Sequence, residues 1–335
     1  MILHLTTQGA KVHLHNGRLV VQHQEETLAR VPLAQINLVL VWGNVGFTTP
    51  AWGALVDHQA EIIFLTRYGR FRGRLQGRTT PHVALRRAQY AATENPAWQL
   101  TTARGILAAK LQHQRSVLQR HRRRKTHLPP EVEGAIAQIQ QALTTLPRKR
   151  TLNALRGVEG TAARAYFRGL RGLFRPPWTF TGRRKRPPPD PVNAMLSLGY
   201  TLLTQKAHSA VEAVGLDPYA GFLHAQEYGR PALALDLVEE FRPIVDGIVL
   251  KVCNQGLLSP HDDFLQPEQP QQPVLLQEEA LRRFLQTFET RFAQRFRHPA
   301  RGERLTLNQC LVEQAYQIAR RVRENRPGYR GMGFR

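Results

Sequence analysis

The sequence predicts an α+β protein divided by domain: a small N-terminal β domain followed by a larger all-α C-terminal domain. Two patterns carry this expectation. Alternating apolar residues and hairpin signals fill roughly the first ninety positions, and from Pro96 onward apolar residues recur every three or four. Size agrees, because 335 residues with 42% hydrophobic and 8% aromatic content can fill roughly two cores.

Taken in order, Val12-His13-Leu14-His15 and Arg18-Leu19-Val20-Val21 flank Asn16-Gly17. That pair accepts positive φ and closes a two-residue hairpin. Further strands are expected at 36–41, 61–66 and 69–75, with a short helix through Val56 that Thr49 caps and Pro50 starts. The β domain is expected to span 1–90, with a linker at 91–96 and the helical domain at 97–325. There Leu100, Ala103, Leu107, Leu111 and Leu118 share a helical stripe, as do Val132, Ile136, Ile139 and Leu143. A third helix carries Val192, Met195, Leu196, Leu203, Ala207 and Val211, and stops at Gly215 with Pro218 beyond. Phe284, Phe288 and Phe292, then Leu311, Ala315, Ile318 and Val322, mark two more.

Three stretches interrupt this order. Arg122-Arg123-Arg124-Lys125 before Pro129-Pro130 reads as an exposed basic turn. Residues 174–191 hold six prolines and Arg183-Arg184-Lys185-Arg186, and read as a mobile basic loop. Residues 260–273 read as a Pro/Gln-rich surface excursion, and 326–335 as a disordered basic tail.

Lys and Arg total 47 against 25 acidic residues, a formal charge of +22. Such self-repulsion is best tolerated when the working partner is a polyanion, and the excess is mostly arginine, which forks onto phosphates. No apolar run of about 18 residues is present, so a membrane partner is not expected. Cys253 and Cys310 lack any partner spacing and read as core thiols in a reducing cytoplasm, the expected location.

Asp236 and Glu239 lie three apart in an apolar helical run, facing the same way. Two such carboxylates repel unless a cation sits between them, and the nearby His224 imidazole could complete a divalent-ion shell. The bland alternative is a half-exposed acidic edge paired with Arg242 or Arg230, and spacing alone favours it. Glu159 lies among small residues in Gly157-Val158-Glu159-Gly160-Thr161-Ala162-Ala163. Buried there it costs several kcal/mol unless paired or metal-bound, whereas in a first turn it only complements the helix dipole. Sequence leaves those two open.

The ordered pieces resemble one family. They are Trp42-Gly43-Asn44-Val45 with Thr48-Thr49-Pro50; Val158-Glu159-Gly160 with Ala163-Arg164-Ala165-Tyr166-Phe167; Asp190-Pro191-Val192-Asn193-Ala194 through Gly199-Tyr200; Gly215-Leu216-Asp217-Pro218 with Gly221-Phe222-Leu223-His224; and Leu235-Asp236-Leu237 into Glu240-Phe241-Arg242-Pro243. This set, in consistent order over roughly residues 1–325, is similar to the CRISPR-associated integrase-endonuclease, the larger protein of the spacer-acquisition module. The resemblance implies Glu159, His224 and Glu239 as catalytic ligands of Mg²⁺ or Mn²⁺, with Asp236 beside them. Many relatives carry Asp where Glu239 stands. It also implies that Asn193 and Tyr200 support the helices of the site.

The implied activity is metal-dependent: a captured DNA fragment is joined to a CRISPR repeat array through 3′-hydroxyl attack, in antiviral defence, with hydrolytic nicking when water is the nucleophile. The implied partners are double-stranded DNA, a second copy of the chain in a homodimer, and a small second adaptation protein. Arg70, Arg72, Arg74 and Arg78 are expected near alternating strand positions to track phosphates, Arg164 to clamp a phosphate, and Arg183 to Arg186, with Arg184 and Lys185 foremost, to close over DNA. Two rivals stand beside this reading: a structure-selective nuclease of branched DNA or RNA, and a non-catalytic basic nucleic-acid scaffold.

Overall fold

Strand β1 (Ile2–Leu5) precedes an antiparallel hairpin of β2 (Lys11–His15) and β3 (Arg18–His23). Asn16 and Gly17 hold φ of 47° and 68°, so the turn follows the twist of its strands. Then come β4 (Glu26–Pro32), β5 (Leu38–Trp42), β6 (Gly46–Phe47), α1 (Thr49–Asp57), β7 (Glu61–Leu65) and β8 (Phe71–Leu75). They form two four-stranded sheets, ordered β1-β5-β7-β8 and β4-β3-β2-β6. β5 runs parallel to both neighbours and is buried at every position, as an all-apolar central parallel strand should be. Leu3, Val39 and Ile62 from one sheet meet Val12, Leu19 and Val21 from the other and Leu55 of α1 in one core. Thr48, one residue before the expected cap, is the N-cap of α1.

This computed structural model describes all residues except 78–80, 123–128, 185–186, 268, 270, 299–300 and 334–335. Two units emerge, residues 1–80 and 81–335. The second holds α2 (Val83–Glu94), α3 (Pro96–Arg122), α4 (Pro130–Thr145), α5 (Leu152–Arg171), α6 (Pro191–Ala213) and α7 (Ala232–Asn254). After the pair β9 (Phe264–Leu265) and β10 (Leu275–Leu276) come α8 (Glu278–Ala293), the pair β11 (Arg295–Arg297) and β12 (Arg304–Thr306), and α9 (Leu307–Arg323). α3 packs on α4, α5 and α7, and α6 packs on α7 and α9. α6 begins at an Asp190 cap and α9 at a Thr306/Gln309 capping box, so both starts are set locally.

Four expectations change. The strand-rich unit ends at 80, not 90, and the expected linker at 91–96 is the junction of α2 and α3; Asn95 alone separates them, because Pro96 can start a helix but cannot continue one. The C-terminal unit is helical as expected, with two short strand pairs among its helices. One of these, β9, lies in the expected surface excursion and buries Phe264 against Trp178. The tail is ordered as far as it is described: Tyr329 and Met332 are buried. The basic turn at 123–125 lies outside the described residues.

Candidate active site

α7 is apolar over most of its surface, yet it buries Asp236, Glu239, Glu240 and Asp246. Pro243 sits inside it and has no N–H for the carbonyl of Glu239, so the helix ladder is interrupted at the site. Asp236 is spent on the incoming loop. Its Oδ2 accepts the amides of Phe222 and Leu223 at 2.6 and 3.0 Å, and its Oδ1 accepts the amide of His224 at 3.0 Å. The same Oδ1 lies 2.7 Å from Nδ1 of His224. A carboxylate can only accept there, so Nδ1 donates, and Nε2 is the ring nitrogen that faces Oε1 of Glu239, at 3.8 Å. This is the arrangement by which a carboxylate orients a ligating imidazole.

Glu159, on α5, and Glu239 are joined by Lys110 of α3. Its ammonium is 2.5 Å from Oε1 of Glu159 and 2.5 Å from Oε2 of Glu239. Arg242, one turn on from Glu239, binds its other oxygen at 2.8 Å. Burial opposes the charge on Lys110, but Glu239 and Glu159 together raise its pKa above the ordinary lysine value. Burial likewise opposes the charge on Glu239, yet Arg242, Lys110 and His224 bring it down to about 2. The acids are therefore not the half-exposed edge of the bland alternative, although Arg242 is indeed a partner. Arg230 pairs instead with Glu227.

Glu159 and His224 are 29% and 18% exposed at the side chain against 4% for Glu239, so the site opens on their side. A cleft of about 540 Å³ leads away from Glu159, lined by Arg164, Arg168, Arg171, Arg183, Tyr200 and Arg242 among others. Tyr200 and Tyr166 donate their phenols to Asp246. Burial pushes Asp246 up to about 6, against the pull of those two hydrogen bonds and of Arg242 and Arg183. The guanidiniums of Arg183 and Arg242 lie 5.2 and 5.3 Å from the Tyr200 ring centre, close enough for cation–π attraction.

Asn193 is fully buried and accepts at Oδ1 from the Arg183 guanidinium and the Arg184 amide, both at 2.9 Å. Arg183 also reaches Ser197 at 3.0 Å. This part of the expected mobile loop is therefore pinned to α6. The side chain of Arg184 is exposed, and Lys185 lies outside the described residues.

Arg72 and Arg74 belong to the strand-rich unit. The β7–β8 register skips Arg72, a bulge that breaks the expected alternation, and Arg74 is held by Glu61 at 2.8 Å. Arg70 precedes the strand and Arg78 is outside the described residues. Sequence reasoning missed Lys110 and Asp246, and expected Arg183 only as part of the basic loop. Lys110 had a readable signal: it falls three after Leu107 and one before Leu111, on the buried stripe of α3.

Two carboxylates and an imidazole suit Mg²⁺ or Mn²⁺. Among the described residues no three acidic, histidine or cysteine side chains converge on one point; Lys110 lies between the two carboxylates. The fit rests on that position. The chain places a unit positive charge between Glu159 and Glu239, and Oε2 of Glu239 is buried with no aligned hydrogen-bond donor. Among the described residues no helix is long and apolar enough to cross a membrane.

Residues 3–290 match the family model described as CRISPR associated protein Cas1. The chain is 40% identical over 319 residues to the CRISPR-associated endonuclease Cas1 1 of Thermus thermophilus, covering 95% of each. It is similar in fold to a casposase bound to integration product, with a TM-score of 0.83 at 23% identity, covering 97% of this chain and 91% of that one. A chain of a partial Cas6-RT-Cas1–Cas2 complex gives a TM-score of 0.66 at 25% identity, covering 99% of each. The chain belongs to the CRISPR-associated protein Cas1 family.

Proposed function

We propose that this Cas1-family chain is a divalent-metal-dependent DNA integrase and endonuclease, with Glu159, His224 and Glu239 as ligands of Mg²⁺ or Mn²⁺. The observation that carries the reading is that Glu239 of α7 shares the buried Lys110 ammonium with Glu159 of α5 and lies 3.8 Å from the imidazole of His224, in the loop before α7. The relatives named above support the activity: one is called an endonuclease, and the casposase is bound to an integration product. The Cas1–Cas2 complex supports a small second protein as partner, and the +22 charge supports DNA. Action as a homodimer in the cytoplasm completes the reading.

When bound, the ion supplies charge for a pentacoordinate phosphorus and for the departing oxygen. The protein's own groups do the rest. Asp236 fixes the His224 ring and its tautomer, and Arg242 fixes the Glu239 carboxylate. Arg164, Arg168 and Arg171 line the cleft beside Glu159, where they can hold a phosphate backbone by charge. Attack by a 3′-hydroxyl makes one phosphodiester and releases another 3′-hydroxyl, so the bond count is conserved and no external energy source is needed. With water as nucleophile the same site nicks.

The test offers a duplex with free 3′-hydroxyls and a plasmid bearing repeats, with and without Mn²⁺. Joined products that vanish in Glu159→Ala and His224→Ala, with DNA binding retained, support the proposal. Nicks without joining favour the structure-selective nuclease, and unchanged DNA with Mn²⁺ favours the scaffold.

A further inference from the structure

Residues 326–333, rich in Arg and Gly, fold back into the helical unit. The Tyr329 phenol donates to Oε1 of Glu240, and the Met332 amide donates to Oε2 of Glu240 at 2.7 Å. Gln314 of α9 donates to the Tyr329 hydroxyl at 2.5 Å and reaches the Arg330 carbonyl at 3.4 Å. Every bond from this segment to Glu240 is buried, so water cannot easily replace it.

The other wall is α3. A Cβ on Gly331 would collide with the methyl of Ala109, and a Cβ on Gly105 would collide with the carbonyl oxygen of Tyr329. His113 continues this row at helical spacing, with Nδ1 2.7 Å from the Glu240 carbonyl. Gly105, Ala109 and His113 thus make a track on α3 that the segment fills. Ala109 precedes Lys110 and Glu240 follows Glu239. The segment therefore grips α3 and α7 one residue away from the ion pair that joins them.

We propose that residues 326–333 are a positioning strap: by gripping α3 at Gly105 and Ala109 and α7 at Glu240, they set where Lys110 meets Glu239. The proposal rests on the assigned function for its activity readout but not for its structural one. The experiment compares the full chain with Tyr329→Phe, with a chain ending at Asn325, and with Phe288→Leu, a core change in α8. Hydrogen exchange is followed at amides 106–113 and 236–242, and kcat and KM for Mn²⁺-dependent strand transfer are measured.

The expected result is exchange at least about tenfold faster in both stretches for Tyr329→Phe and the shortened chain, with kcat down about five- to tenfold and KM for DNA unchanged. Phe288→Leu should lower the melting temperature at least as much and leave kcat alone. Faster exchange confined to α9, or kcat retained in both strap variants, overturns the proposal. A full chain with no strand transfer overturns the assigned function instead, and the exchange comparison then decides the strap.

Discussion

Glu239 and Glu240 are consecutive on α7 and both are buried, yet they look out on opposite surroundings. Glu239 meets Lys110, Arg242 and His224, and its carboxyl is brought down to about 2. Glu240 meets the neutral donors of Tyr329, Met332 and Gln314, and burial pushes it up to about 7. Burial opposes ionisation equally in kind for both, so the difference lies in the partners. Cations favour the charged form, and neutral donors offset burial only in part. One side of the helix is thus arranged for charge and the other for packing, and residue identity alone would not separate them.

The largest break in this contrast is Glu239→Gln. It should reduce strand transfer on the order of 10³-fold or more, and leave Lys110 and Arg242 buried without their shared counter-charge. A time course with labelled DNA measures the first, and urea unfolding measures the second. Activity within tenfold of the parent would remove Glu239 from the site. Lys110→Met makes the converse test. Without metal it should cost about 3 kcal/mol of stability, because the paired carboxylates lose their ammonium. Mn²⁺ should then raise its melting temperature by more degrees than it raises the parent's; an equal shift would show that Lys110 does not share the ion's place.

Asp246 supplies the pH test. Its folded value of about 6 lies above the ordinary 3.8, so the folded state binds the proton more tightly than the unfolded state does. Its contribution to stability is fully present below about pH 4 and is lost as pH rises through about 6. The loss is on the order of 2–3 kcal/mol, and it should be missing from the pH profile of Asp246→Asn. Profiles of the two proteins that run parallel between pH 4 and 7 would contradict this. The smallest expected effect is from Asp236→Asn. It should weaken Mn²⁺ binding and activity by roughly 10- to 100-fold through the loosened His224 ring, with DNA affinity unchanged. Titration of Mn²⁺ against activity reads that change.

Much of this was legible in the sequence. Asn16-Gly17 closed its hairpin and Gly215 ended α6 because both places need a positive φ, which is a local property. His224, Asp236 and Glu239 could be placed together because a short loop and one helix connect them. What escaped depended on distant partners. Residues 326–333 look disordered by composition, since their order comes from Glu240, some ninety positions earlier. Lys110 reads as a polar interruption in an apolar stripe until Glu159 and Glu239 arrive from other helices. β4 escaped because Thr27, Leu28 and Ala29 show no clean alternation, and Leu28 stays exposed at 42%.

Lys110 also gives the site a chemical voice. An ammonium held above its ordinary pKa between two carboxylates is a poor nucleophile, so acylating reagents should pass it by. Whatever draws Glu159 and Glu239 away from it leaves a freer amine whose labelling rate rises. The modification of one lysine, read by mass spectrometry, would then report occupancy of the site without any DNA being cut.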